Sequence, residues 1–224
     1  ILMTVMLCQQ WLMLMDLLNA PEEIAIHVHG QELPAHDPKY LPSLATTYVA
    51  DPTPGRHTAG GVGFSEGSVP QTQFPIEGIK FQKLEKYVYT GKGYAHAVIS
   101  NITQVENSLG FCIFSEFAQY PYVELVNSVT GWNLTDKDLL RNGERIQNLR
   151  HLFNIREGLK PSDFRIPNRA IGIPPQKAGP LENITVDVDS LVKDYFNAME
   201  WDINTGMPSE RKIRELDLEE FIKS

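Results

Sequence analysis

From Thr135 to Gly158 the chain carries every signal of one long helix, and no other stretch constrains its fold as strongly. Thr135 can act as the N-cap, with Asp138 three residues on as a variant of the capping box. Leu139, Leu140, Ile146, Leu149, Leu152 and Phe153 form an apolar stripe, and Gly158 and Pro161 supply the stop. A helix this long needs other elements to cover its apolar face. The rest of the chain must therefore supply helical or sheet surface in quantity.

It supplies mostly helices. After Gly93, Val98, Ile99, Ile102, Val105, Leu109 and Cys112 recur at three and four, so Cys112 extends the buried face of a second helix. A short helix is expected within Leu41 to Ala50. Another starts at Asp189 or Ser190 and carries Leu191, Val192, Tyr195, Phe196 and Met199. Thr205-Gly206-Met207-Pro208 breaks the chain there, and Ser209 can cap a last short helix with Ile213 and Leu216. Ile24, Ile26 and Val28 alternate as in a half-buried strand that Gly30 ends. Asp51 to Gly63 reads as a loop rich in proline and glycine, and Pro161 to Pro180 as a proline-rich wrap. The fold class expected is all-α (mainly helical) with a short β-strand near the start. Val105, Leu109, Leu149 and Phe153 should be buried.

Composition narrows the function classes. A net charge of −8 and a pI near 5.3 argue against a nucleic-acid surface, which needs clustered Lys and Arg. Two cysteines make no disulfide framework, so a reducing cytoplasm is the default. Ile1 to Leu18 is apolar, with Asp16 its only charge, but Gln9, Gln10 and Asp16 interrupt what would be a membrane span. No Lys or Arg precedes Lys39, so a signal peptide's basic start is missing. Neither membrane nor nucleic acid is expected as a partner. A homo-oligomer stays open. The simplest account of residues 1–23 is an apolar helix cut from a longer context.

Three groups of residues could carry chemistry. Asn107-Ser108-Leu109-Gly110-Phe111-Cys112 closes the second helix and sets a cysteine close to a glycine. Such a cysteine can ligate iron or pack as a small hydrophobe. His27 and His29, two apart on a strand, point to one face, and Glu32, His36 and Asp37 follow. That spacing suits Zn²⁺ or Fe²⁺, and equally the polar outer face of an edge strand. His57, in the loop beside Arg56, is either a general acid or base or an exposed loop residue. Glu144, Arg145, Arg150, Arg156 and Glu157 read as the solvated face of the long helix.

The run Gly143-Glu144-Arg145-Ile146-Gln147-Asn148-Leu149-Arg150-His151-Leu152-Phe153-Asn154-Ile155-Arg156-Glu157-Gly158 resembles the G-E-R-I-x-x-L-x-R-x-F-N-x-R-E-G signature of the aldehyde:ferredoxin oxidoreductase family, with His151 where the second arginine stands. His27 to Pro38 resembles that family's H-V-K-G-x-E-x-P-A-Y-D-P run, with His36 at its tyrosine. Asn107 to Cys112 resembles its D-x-x-G-L-C motif, with one residue more. Tyr195-Phe196, Trp201-Asp202 and Gly206-Met207-Pro208 resemble its terminal Y-Y-x-x-x-G-W-D-x-x-x-G-x-P pattern, with Glu200 in place of the first glycine. Four ordered motifs from about residue 24 to the end are a far stronger signal than any one of them.

The resemblance implies the C-terminal domain of a tungsten-pterin (molybdopterin-type) enzyme over residues 24–224, with 1–23 outside it. Such an enzyme oxidises aldehydes to carboxylic acids and passes electrons through a [4Fe–4S] cluster to ferredoxin. By the same resemblance Cys112 matches the cluster's fourth ligand. Asn107 stands where an aspartate bonds the pterin and Phe111 where leucine is expected, so Asn107, Leu109, Gly110 and Phe111 form the cofactor-binding set. His57 falls where the family has an active-site histidine after an R-G-A-x-H loop, read here as Thr53-Pro54-Gly55-Arg56-His57. The family's pterin-cradling β domain and its C-x-x-C-x-x-x-C segment have no counterpart in these 224 residues. The chain alone is therefore expected to be inactive and to hold no cofactor. Two rivals stay open: a non-catalytic remnant or structural subunit fragment, and a small metal-binding module built on His27, His29 and His36.

Overall fold

The computed structural model describes residues 13–19, 21, 24–112 and 120–222. Its two strands, β1 (His27–Val28) and β2 (Gln31–Glu32), pair antiparallel, His27 opposite Glu32 and Val28 opposite Gln31. His29 and Gly30 make the turn between them with φ of 48° and 78°, the two positive φ values that a two-residue hairpin needs. The helices include α1 (Ser43–Ala50), α2 (Gly93–Leu109), α3 (Tyr122–Thr130), α4 (Asp136–Arg156), α5 (Val188–Met199) and α6 (Glu210–Glu215). The mainly helical expectation holds, and among the described residues the named strands lie near the start.

Local signals account for most of the ends. Thr135 accepts from the Asp138 amide while the Asp138 carboxylate accepts from the Thr135 amide, a complete capping box at α4. The Asp187 side chain caps α5, and Ser209 caps α6 by accepting from the Lys212 amide. At α2 the cap comes from far away in sequence. The Asp194 carboxylate of α5 accepts from the amides of Lys92 and Gly93 at 2.7 and 2.6 Å.

Helix α1 is buried along its whole length, and α2 from Ala95 to Glu106. Leu44, Tyr48 and Val49 of α1 meet Leu191, Tyr195, Phe196 and Met199 of α5 in one core cluster, closed by Val28 and Trp201. Val98, Ile102 and Val105 of α2 meet Tyr122 and Val126 of α3 and Leu139 of α4 in a second. Leu152, Ile213, Leu216 and Leu218 form a third that fastens α6 to α4. Helix α2 crosses α4 at Gly143, where an added Cβ would collide with the Asn101 backbone oxygen. Among the described residues no helix is long and apolar enough to cross a membrane.

Several expectations need correction. The strand begins three residues later than its alternation suggests, and Ile24 is exposed. His29 sits in the turn, so His27 and His29 do not share a strand face. The His27 Nδ1 accepts from the Gly30 amide instead, at 3.2 Å. Of the four residues expected in the core only Val105 is buried. Leu149 is half-buried, Leu109 is 39% exposed and Phe153 is 53% exposed. For Leu149 and Phe153 the cause is the face α4 turns inward. It is built on Gly143, Gln147, Asn148 and His151 as well as Leu139 and Leu152, so apolar spacing alone misplaces it. Helix α2 ends at Leu109, and Cys112 is exposed beyond it rather than on its buried face. Of the apolar N-terminal stretch, residues 1–12, Cys8 included, lie outside the described residues.

Candidate functional site

Helix α2 ends in a glycine-dependent reversal. Gly110 has a φ of 76°, its amide reaching the Asn107 oxygen at 3.3 Å, and the Phe111 amide donates to the Glu106 oxygen at 3.1 Å. This is the left-handed helix stop that glycine makes without strain. An added Cβ at Gly110 would meet nothing within 4 Å, so the glycine is there for its φ. Phe111 then packs against Tyr120 and Tyr122, with ring centroids 5.2 and 5.0 Å apart. The Tyr122 hydroxyl donates to the Glu106 carboxylate at 3.0 Å. Anchored by Phe111, the chain leaves the core, and Cys112 is exposed, as are Asn107, Leu109 and Gly110.

His57 lies in the 51–63 loop, which side chains of three helices hold in place. Thr47 of α1 donates to the Gly60 oxygen at 3.3 Å, Gln104 of α2 to the Ala59 oxygen at 3.4 Å, and Asn154 of α4 to the Pro52 oxygen at 2.8 Å. The loop presents His57 on a cleft of about 400 Å³, with Phe64, Gln73, Ile99 and Thr103 among its walls. The His57 and His36 ring centroids are 4.6 Å apart, and Phe64 sets its ring across both. Burial, then the His36 ring, then the Arg56 charge hold the His57 imidazole below its ordinary range. It is therefore neutral at pH 7 and can accept a proton.

Both groups rest on α2. Thr103 lines the His57 cleft, and Asn107 lies four residues on, one helical turn and about 6 Å along the same face. The structure does not gather His27, His29 and His36. His29 packs on Phe164, at 5.2 Å between centroids, and among the described residues no group of three His, Cys, Asp or Glu side chains could hold a metal ion.

Sequence reasoning missed the polar network behind the loop. Asp51 is buried and accepts from Gln147 Nε2 at 3.0 Å, the Thr53 amide at 2.8 Å and Arg150 at 3.4 Å. Arg150 donates also to Gln104, Gln147 and the Thr53 hydroxyl. Burial raises the Asp51 carboxyl above its usual range, and the nearby Arg150 charge opposes that rise. Nothing in the sequence pairs Asp51 with Arg150, 99 residues away. The surface reading of Arg150 fails for this reason. Next to it the His151 ring stacks on Trp201 at 3.7 Å, nearly parallel, with its Nε2 2.8 Å from the Gly206 oxygen. Burial pushes this imidazole down to about 4.

Residues 12–218 match the family model described as aldehyde ferredoxin oxidoreductase, domains 2 and 3. The chain is similar to the tungsten-containing aldehyde ferredoxin oxidoreductase of Pyrococcus furiosus, 29% identical over 202 residues that cover 89% of this chain and 32% of that protein. The enzyme of the same name from Pyrococcus horikoshii is 28% identical over 205 residues, with the same coverage. The chain thus spans about a third of the length of these relatives. Among solved structures, the active-site complex BamBC of benzoyl coenzyme A reductase, in complex with 1,5-dienoyl-CoA, superposes with a TM-score of 0.51 at 17% identity. It covers 87% of this chain and 32% of that one, a likeness of fold alone. With its helical architecture and its match over nearly the whole length, the chain belongs to the aldehyde ferredoxin oxidoreductase family, in the region of domains 2 and 3.

Proposed function

We propose that this chain is the C-terminal portion of a tungsten-pterin enzyme that oxidises aldehydes to carboxylic acids and passes electrons through a [4Fe–4S] cluster to ferredoxin. The observation that carries the reading is the end of α2. Gly110 turns the chain there, Phe111 pins it, and Cys112 is exposed a few residues from Asn107. That presentation fits a thiolate offered to a group held mainly by other polypeptide. Asn107, exposed, can both donate to and accept from a pterin edge. The bound metal, pterin and cluster would supply the two-electron chemistry. The chain's own part is to hold that group at the α2 end and to take up a proton at His57. On this reading the isolated chain is inactive because it has one of four cluster ligands.

Asn107 favours one second reading, a remnant that keeps the fold and has lost the cofactors, because the family motif has an aspartate there. Anaerobic co-expression with a polypeptide supplying the pterin domain and the three-cysteine motif separates the two. Cluster absorbance and tungsten in the complex, lost in Cys112→Ser, are the expected result. A stable complex without iron or tungsten would establish the remnant.

A further inference from the structure

The His57 ring does not stand alone in its cleft. His36 comes from the segment after β2, which the Tyr48 hydroxyl of α1 pins by donating to the His36 backbone oxygen at 2.9 Å. The two rings are tilted by 56° with centroids 4.6 Å apart. Phe64 lies edge-on to both, at 5.2 Å from His36 and 6.2 Å from His57. The two imidazoles also open onto different spaces. His57 lines the cleft that runs to Thr103 on α2. His36 lines a second cleft of about 370 Å³, with Asp37, Lys39 and Arg169.

We propose that His36 and His57 act as one coupled acid–base pair, in which His57 faces the ligand cleft and His36 carries the exchanged proton out to the second cleft. The argument is electrostatic. At this separation a charge on one ring opposes a charge on the other, so a proton on one ring disfavours a second on its neighbour. A proton released by a ligand at His57 can then leave the pair on the His36 side, and His57 is restored as a base. His36 is thus a positioning residue for His57.

The neighbouring charges leave this coupling in control. Arg56, on the same loop, disfavours the charged form of His57. Asp37 is occupied by Lys39 at 3.0 Å, and Glu66 is buried against Lys92 at 2.8 Å. The 63–65 turn brings Phe64 and Ser65, and α2 brings Ile99 and Thr103, all uncharged. His36 also departs from the tyrosine of the pattern that this segment resembles, so the second imidazole is a property of this chain.

The proposal rests on the proton-accepting role given to His57, and its test must not depend on activity. The test is an NMR titration of the His57 imidazole in the full chain, in the natural sequence and in His36→Phe and His36→Tyr. The natural chain should give a curve broader than a single-site titration. Both variants should restore single-site width, with the midpoint raised by roughly half a pH unit, the size expected for a water-screened charge at this range. A single step of ordinary slope in the natural chain overturns the proposal, whatever the variants do. An unchanged midpoint in a folded variant overturns it as well. Either failure leaves the role of His57 itself standing. That role is judged separately by loss of aldehyde oxidation in His57→Phe within the assembled enzyme.

Discussion

At Cys112 the identity of one side chain and the conformation of its neighbour act together. Gly110 at φ 76° ends α2, and this exposes the sulfur. In Cys8→Ser, thiol labelling of the folded chain should therefore run far faster than global unfolding. A rate no faster than global unfolding would place Cys112 in the core. The buried histidines set a pH dependence of stability. His96 is pushed down to about 3 and His151 to about 4, both by burial. Their folded values lie below the unfolded value near 6.5, so the unfolded chain binds more protons in that window, and stability falls as pH is lowered from 6.5 toward 4. The urea midpoint should drop across this range. His151→Phe should lower the midpoint at pH 7, through the lost bond to the Gly206 oxygen, and flatten part of the drop. A midpoint independent of pH there would contradict the burial of both rings.

Helix α4 shows how one element can satisfy local rules and still face inward with polar groups. Gln147 and Arg150 meet Asp51 and Gln104, and Asn148 accepts from the Trp201 indole at 2.8 Å. Buried polar groups of this kind are stable only while every partner is kept. Arg150→Met leaves the Asp51 carboxylate without its cation. Removing one partner of a fully buried pair costs about 3–5 kcal/mol. The Arg150 side chain is 31% exposed, so solvent reduces the expected loss to about 2 kcal/mol. Adding Asp51→Asn should recover part of it, and urea unfolding of the single and double variants measures the coupling. At Gly143 two magnitudes compete. Alanine gains about 1 kcal/mol of helix propensity, but its Cβ meets the backbone of α2, where no side chain can move aside. Overpacking wins, and Gly143→Ala should destabilise by about 1–2 kcal/mol. A stabilised variant would mean that α2 and α4 do not cross at this glycine.

For the whole molecule, the 51–63 loop and the end of α2 carry the two candidate groups, and both depend on α2 being seated between α4 and α5. The reading as part of an aldehyde-oxidising enzyme predicts no viologen reduction by the chain alone, with any aldehyde and after cofactor reconstitution. Turnover by the chain alone would overturn it. The family match covers 12–218, so activity is expected to return only with polypeptide corresponding to the remaining two thirds of the relatives.

Much of this was legible in the residues themselves. The capping box at Thr135, the cap at Ser209 and the glycine stops act within one turn of chain, so the named helices other than α3 and the place of the Cys112 motif could be read directly, although α5 starts at Val188 under an Asp187 cap rather than at Asp189 or Ser190. The order of four motifs over some 200 residues was enough to mark the family. What the sequence could not determine depends on partners distant along the chain. Asp194 caps α2 from 101 residues away, and Asp51 finds Arg150 across 99. Phe153 fits an apolar stripe yet lies outside, because α4 turns its Gly143–Gln147–His151 face to the core. His36 meets His57 only because α1 and the loop fold back on each other. Periodicity reports which residues share a face. Which face is buried, and which side chains satisfy the polar groups it carries inward, is decided by packing among elements far apart in sequence, and so by the tertiary structure.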